Sequence, residues 1–151
     1  MHKDIQGYKE ELHEFQEFAN TFGFGEMTAG SHNNLELIKN ELNIVEKLWN
    51  HIKKCHENFD SYLTLKYMGI NPSEMEDEVK TLRKHLIDIK GVDRKSNTFL
   101  GINEDIKKWA TFMPLLQELK DPSMIVEDGR HWNKVRKLVN KHFEVDDKLS
   151  I

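Results

Sequence analysis

The sequence holds a single cysteine, Cys55, so an internal disulfide is impossible and a reducing compartment is expected. Apolar runs are short: none approaches the roughly 18 residues that a membrane-spanning helix needs. The opening Met1-His2-Lys3-Asp4 has no apolar core of a secretion signal. A basic excess is also missing. The 22 lysines and arginines are outnumbered by 26 acids, for a formal charge of -4, which disfavours nucleic acid and anionic membrane surfaces as partners. Only three prolines are present, and nothing alternates with the period of two of a half-buried strand. A cytoplasmic protein, or a piece of one, is expected. The ending Asp147-Lys148-Leu149-Ser150-Ile151 reads as a chain cut from something longer.

What is present is charge and helical periodicity. Charged residues make up 32% and apolar residues 38% of 151 positions, a composition suited to helices that each bury one narrow stripe. Ile5, Tyr8, Leu12, Phe15, Ala19 and Phe22 follow the 3-4 spacing of a helical seam, which Gly23-Phe24-Gly25 and Gly30-Ser31 should end. Asn33 or Asn34 is expected to cap a longer helix with the seam Leu35, Ile38, Leu42, Val45, Trp49, Ile52, His56, Phe59 and Leu63. Asn71-Pro72-Ser73-Glu74 predicts a capped start for a third helix, which carries Met75, Val79, Leu82, Leu86 and Ile89 and stops at Gly91. After Gly101 a denser apolar band runs from Ile102 to Leu119, and Pro114 inside it should kink or restart the helix. Asp121-Pro122 is another start signal, and Arg130-His131-Trp132 opens a last helix with Val135, Leu138, Val139 and Phe143. The expected fold is all-α: an elongated, rod-like antiparallel bundle of about four to six helices. The organisation reads as an amino-terminal helix and Gly-rich loop (1-30), a long-helix bundle (31-100) and a carboxyl-terminal subdomain (101-151).

Candidate chemistry is thin. His51 and Cys55, four apart, could offer two zinc ligands, but no CxxC or HExxH completes a set, and a structural role is favoured. Gly23-Phe24-Gly25 followed by Gly30 lacks the GxxxxGK[ST] register of a phosphate loop. Glu74, Glu76, Asp77 and Glu78 fall in the first turns of a helix, where the backbone dipole favours acids on a solvated face. The eight histidines accompany no evident nucleophile. No catalytic residue, metal site or cofactor site is expected. Arg130-His131-Trp132 could pair an anion and stack a ligand, yet packing of Trp132 is the favoured reading.

The stretch from Trp109 through Pro114-Leu115-Leu116-Gln117-Glu118-Leu119 and Asp121-Pro122-Ser123-Met124 to Arg130-His131-Trp132 resembles the linker of dynein heavy chains. That family shows a helix ending in P-L-x-x-x-L, a short x-P-x-M/L turn and then R-H-W. All three stand here in order. The resemblance covers residues 35 to 151, with Trp49 and the helix from Met75 to Ile89 fitting it more loosely, and is diffuse before residue 30. One departure is the five residues Ile125 to Gly129 where the family has two or three.

The resemblance implies a non-catalytic lever in an ATP-driven motor that moves toward microtubule minus ends. Its partners would be the AAA+ ring and tail of the same heavy chain and other dynein subunits. ATP, magnesium and microtubule contacts would lie elsewhere in the parent chain. The terminal Phe143 to Leu149 stretch leans toward an axonemal heavy chain, and so to the cytoskeleton of a cilium. The structural anchors expected are Trp49, Trp109, Pro114, Leu119, Arg130, His131 and Trp132. The alternative is a stand-alone helical bundle that binds a partner through the seams Ile5–Phe22 and Leu35–Leu63.

Overall fold

Helix boundaries follow from where the backbone can close its own hydrogen bonds. In a computed structural model, residues 2–125, 130–146 and 149 are described. Five α-helices order these residues: α1 (His2–Thr21), α2 (Ala29–Thr64), α3 (Pro72–Asp88), α4 (Asn97–Leu119) and α5 (Arg130–Val139). Short 3-10 turns at Gly25–Thr28, Tyr67–Gly69 and Pro122–Ile125 join them. The fold is an all-α helical bundle, as the periodicity predicts.

α1 stops at Gly23, whose φ of 76° lies in the left-handed region. The Phe24 amide reaches the Ala19 carbonyl at 2.7 Å and the Gly23 amide reaches that of Asn20 at 3.1 Å. This Schellman pairing satisfies the helix end. The expected cap at Asn33 or Asn34 is not used. The 3-10 turn runs straight into α2 at Ala29, already helical at φ -58° and ψ -42°, so Gly30 and Ser31 lie inside the helix. Asn71 does precede α3 with Pro72 first, but it caps through its carbonyl, which accepts from the Met75 amide at 3.2 Å, and not through its side chain.

α4 begins earlier than Gly101 suggests. Ser96 caps it, its hydroxyl oxygen accepting from the Phe99 amide at 3.3 Å. Pro114 neither ends nor restarts this helix, which continues to Leu119. A proline costs an interior helix about 3 kcal/mol. Here Met113 and Leu116 on either side are essentially inaccessible and extend the buried stripe of Phe99, Ile102 and Ile106, so packing outweighs the lost hydrogen bond.

The chain divides into two compact units, Met1–Lys47 and Leu48–Ile151, and the division falls within α2. In the second unit Tyr62 of α2 hydrogen-bonds Glu78 of α3, and His51 sits edge-on to His85 at 6.3 Å, so α2 and α3 run antiparallel. Gln117 near the end of α4 donates to Glu76 near the start of α3 at 2.7 Å, and residues 89–96 join the opposite ends, so α4 runs antiparallel to α3. The buried stripe of α2 is Leu48, His51, Ile52, Cys55, Phe59 and Tyr62. That is the expected seam turned by about one residue. His56 and Trp49, assigned to the seam, are exposed, while His51, Cys55 and Tyr62 are inside. Both residue sets satisfy 3-4 spacing, and the choice between them is made by the helices that pack against α2.

Candidate functional site

Three clusters of the second unit could carry chemistry or force. The first is His51–Cys55. Their Nε2 and Sγ atoms are 3.4 Å apart in the α2–α3 interface, and among the described residues no group of three His, Cys, Asp or Glu could hold a metal ion. Burial pushes the Cys55 thiol up to about 11, so it stays a protonated, poorly nucleophilic thiol at neutral pH. Burial likewise lowers the His51 imidazole, despite a hydrogen bond to the Leu82 backbone that works in the opposite direction. The pair fills the interface as a neutral unit.

The second cluster is aromatic. Trp109 stacks on Phe59 at 5.3 Å and 16°, meets Tyr62 edge-on at 5.4 Å and Phe112 edge-on at 6.0 Å. Burial, and then the carboxylate of Glu78 to which it donates, raise the Tyr62 hydroxyl well above its ordinary range. The acids near the start of α3 are used in the same manner. Glu76 accepts from Lys80 and Gln117, which hold its carboxyl below the usual range. These acids tie helices together.

The third cluster is a junction built on Tyr67, in the break between α2 and α3. Its hydroxyl donates to the Leu119 carbonyl at the end of α4 at 2.6 Å, and its amide donates to the Leu149 carbonyl at 2.7 Å. Lys120 returns the tie: its ammonium donates to the carbonyls of Tyr67 (3.0 Å) and Met68 (3.2 Å) and lies 4.9 Å over the Tyr67 ring. Trp132 of α5 meets Tyr67 edge-on at 5.4 Å and Phe143 edge-on at 6.0 Å. Arg136 donates to the Phe143 carbonyl at 2.7 Å with its guanidinium over that ring. Two helix ends, a turn and the segment after α5 thus meet at one place through directional bonds. The part-buried charge-assisted bonds of Lys120 to Tyr67 and of Arg136 to Phe143 contribute on the order of 1 kcal/mol each, and each aromatic pair about 0.5–1.5 kcal/mol beyond its buried area.

The residues singled out from sequence scatter across this picture. Trp132 is buried at the junction and Leu119 is half-buried beside it, while Trp109 centres the aromatic cluster. Pro114 is exposed on α4. Arg130 and His131 open α5, exposed and half-buried respectively. Trp49 is 56% exposed and lies outside the core, because the α2 stripe is turned away from it. Ile125 to Gly129, the longer connection, falls mostly outside the described residues. Tyr67, Lys120 and Arg136 escape a periodicity reading: Tyr67 sits in a break, Lys120 is a cation whose carbonyl partners lie more than 50 residues away, and Arg136 reaches past the end of its helix to the Phe143 carbonyl. Asp121-Pro122 gives a 3-10 turn, with the Asp121 carboxylate accepting from the Ser123 amide at 2.8 Å.

Comparison with known proteins places these helices. The family described as "Dynein heavy chain, N-terminal region 2" matches residues 35–151. The chain belongs to the dynein heavy chain family. The match takes in α3, α4, α5, most of α2 and the whole Tyr67 junction. Among relatives, mouse "Dynein axonemal heavy chain 17" is 23% identical over 83% of this chain. The sea urchin Heliocidaris crassispina "Dynein beta chain, ciliary" is 22% identical over 99% of it, and the Chlamydomonas reinhardtii "Dynein beta chain, flagellar outer arm" is 26% identical over 78%. The chain spans only 2 to 3% of the length of these dynein relatives.

Proposed function

We propose that this segment is a non-catalytic lever element of a dynein heavy chain, carrying the ATP-driven movement of an AAA+ ring to the tail. The observation that supports this most directly is the Tyr67–Lys120–Trp132 junction. A lever must pass load between helices without losing register, and directional bonds that join two helix ends to an outgoing segment resist shear better than apolar contact does. The Tyr62–Glu78, Gln117–Glu76, Tyr67–Leu119 and Lys120–Tyr67 hydrogen bonds fasten helices to one another, which suits a structural role within a motor whose chemistry lies elsewhere. ATP and magnesium would bind outside these residues, and microtubules would be met only through the parent motor. The ring and tail of the same chain are the partners, with other dynein subunits as neighbours in the assembly. The axonemal, ciliary and flagellar relatives support a place in the cytoskeleton of a cilium.

The test is microtubule gliding by the intact heavy chain carrying Trp132→Ala or Lys120→Met. Slowed gliding with basal ATP turnover retained is the expected result, since coupling is weakened while the ring is untouched. Unchanged gliding by both variants would remove the lever from consideration. A second reading, a helical module that recruits a partner, is favoured by one feature of the first unit: the α1 seam is open, with Tyr8, Phe15 and Phe22 exposed.

A further inference from the structure

The first unit has aromatic side chains but no core to hold them. Among its described residues only Ile5 is buried; Leu12 and Ala19 on the same side of α1 are half-covered. Tyr8, Phe15 and Phe22, seven residues apart, form with Phe18 a stripe along α1 whose members are 59 to 71% exposed. At about 100° of turn per residue, Glu11 falls inside this stripe and Glu14 borders it. Residues 1–47 carry nine acids and four lysines, a net charge of -5, whereas the rest of the chain is nearly balanced. We infer that this acidic-aromatic stripe is the seat of an amphipathic helix with lysine or arginine flanking its apolar face, supplied by the same heavy chain from outside these 151 residues.

Three observations select that occupant. Charge disfavours a second copy, because each stripe carries Glu11 inside it and Glu14 at its border, and two such stripes face to face would enclose acids with no lysine or arginine between them. Size disfavours a free partner. The exposed parts of four aromatics amount to roughly 500 Å², below the ~800 Å² per side of a stable interface between separate proteins. Length makes a same-chain occupant available: the relatives extend far beyond the 2 to 3% that this chain covers. A helix tethered on the same polypeptide experiences a millimolar effective concentration, so a face too small to hold a free protein suffices. The inference rests on membership of the dynein family and stands or falls separately from the lever reading, since its readout is a contact and not motility.

The experiment places a photo-crosslinking phenylalanine analogue at Phe18 in the intact heavy chain and identifies the captured peptide by mass spectrometry. Capture of a heavy-chain peptide from outside residues 1–151, with basic residues flanking an apolar stripe, is the expected result. Its yield should fall several-fold in Glu11→Lys/Glu14→Lys. Capture of another polypeptide, or of nothing, overturns the proposal. Sedimentation of the 151-residue chain supplies the remaining arm: a monomer at tens of micromolar is expected, and self-association would overturn the inference in favour of a second copy. Because Phe18 is exposed here, its replacement leaves the folding of this chain unaffected, so a missing crosslink cannot be ascribed to unfolding.

Discussion

The two units draw on the same sequence pattern and reach different ends. Both carry apolar residues at 3-4 spacing, yet Leu48 onward gathers four helices around one core while the described residues of Met1–Lys47 bury a single isoleucine. What separates them is the number of walls. A helix buries one stripe per neighbour, so α1 with the start of α2 can cover only one side of each. In the second unit α3 lies against both α2 and α4, and α5 closes the end through Trp132. Periodicity therefore reports which residues can be buried, and the count of neighbours decides which of them are.

The largest effect that would sharpen this contrast comes from Trp132→Ala. Trp132 is 7% exposed and touches Tyr67 and Phe143. Its removal should cost about 3–5 kcal/mol, read as a lowered urea midpoint with an unchanged slope. A midpoint unmoved by this change would mean that the junction contributes nothing to the second unit. Tyr67→Phe should follow at about 1 kcal/mol, because it deletes only the bond to the Leu119 carbonyl while keeping the ring under Lys120. If Tyr67→Phe cost as much as Trp132→Ala, hydrogen bonding and not packing would dominate the junction.

Much of this was open to a sequence reader. The helices of the second unit follow from apolar spacing and from Pro72, and the termination of α1 follows from Gly23. Trp132 was legible because a large aromatic after a start signal has few alternatives to burial. The facing of α2 was not legible. Ile52 and Phe59 belong to both the expected and the observed stripe, and around them Leu48–His51–Cys55–Tyr62 and Trp49–His56–Leu63 are alternatives one residue apart, with the bulky Trp49 in the second. Only the arrival of α3, with Leu82 and Leu86, settles that Cys55 goes inside and Trp49 outside. Pro114 misleads for a related reason: local backbone cost is visible in the sequence, whereas the buried Met113 and Leu116 that outweigh it draw their strength from residues far along the chain. The junction was half visible, since Tyr67 and Lys120 are joined across 53 residues.

A smaller effect separates the units by pH. Burial lowers the His51 imidazole from its ordinary value of 6.5, with His85 facing it from α3 and Lys54 near it on α2 adding in the same direction. A histidine whose folded pKa is depressed stays neutral in the native state while the unfolded chain takes up a proton. Stability should thus be full above about pH 6.5 and decline as the pH falls through that value, levelling off below the folded pKa. His51→Leu should flatten the slope of unfolding free energy between pH 7 and 5. A slope that persisted in His51→Leu would assign the dependence to other histidines.

The smallest effect is the sharpest test of the comparison. Phe18 is the same residue as Phe59 and Phe99 of the core, and it occupies a regular helical position, yet 67% of it is exposed. Phe18→Ala in the 151-residue chain should change stability by no more than about 0.5 kcal/mol, because little packing is lost and alanine is the better helix former. An equivalent aromatic in the second unit, Phe59, is 5% exposed and stacked on Trp109, and its replacement belongs to the multi-kilocalorie class. The same chemical deletion thus yields two different costs, set by the number of helices that surround the ring. A loss of several kcal/mol from Phe18→Ala would mean that the first unit is packed after all, and the distinction between the two regions would collapse.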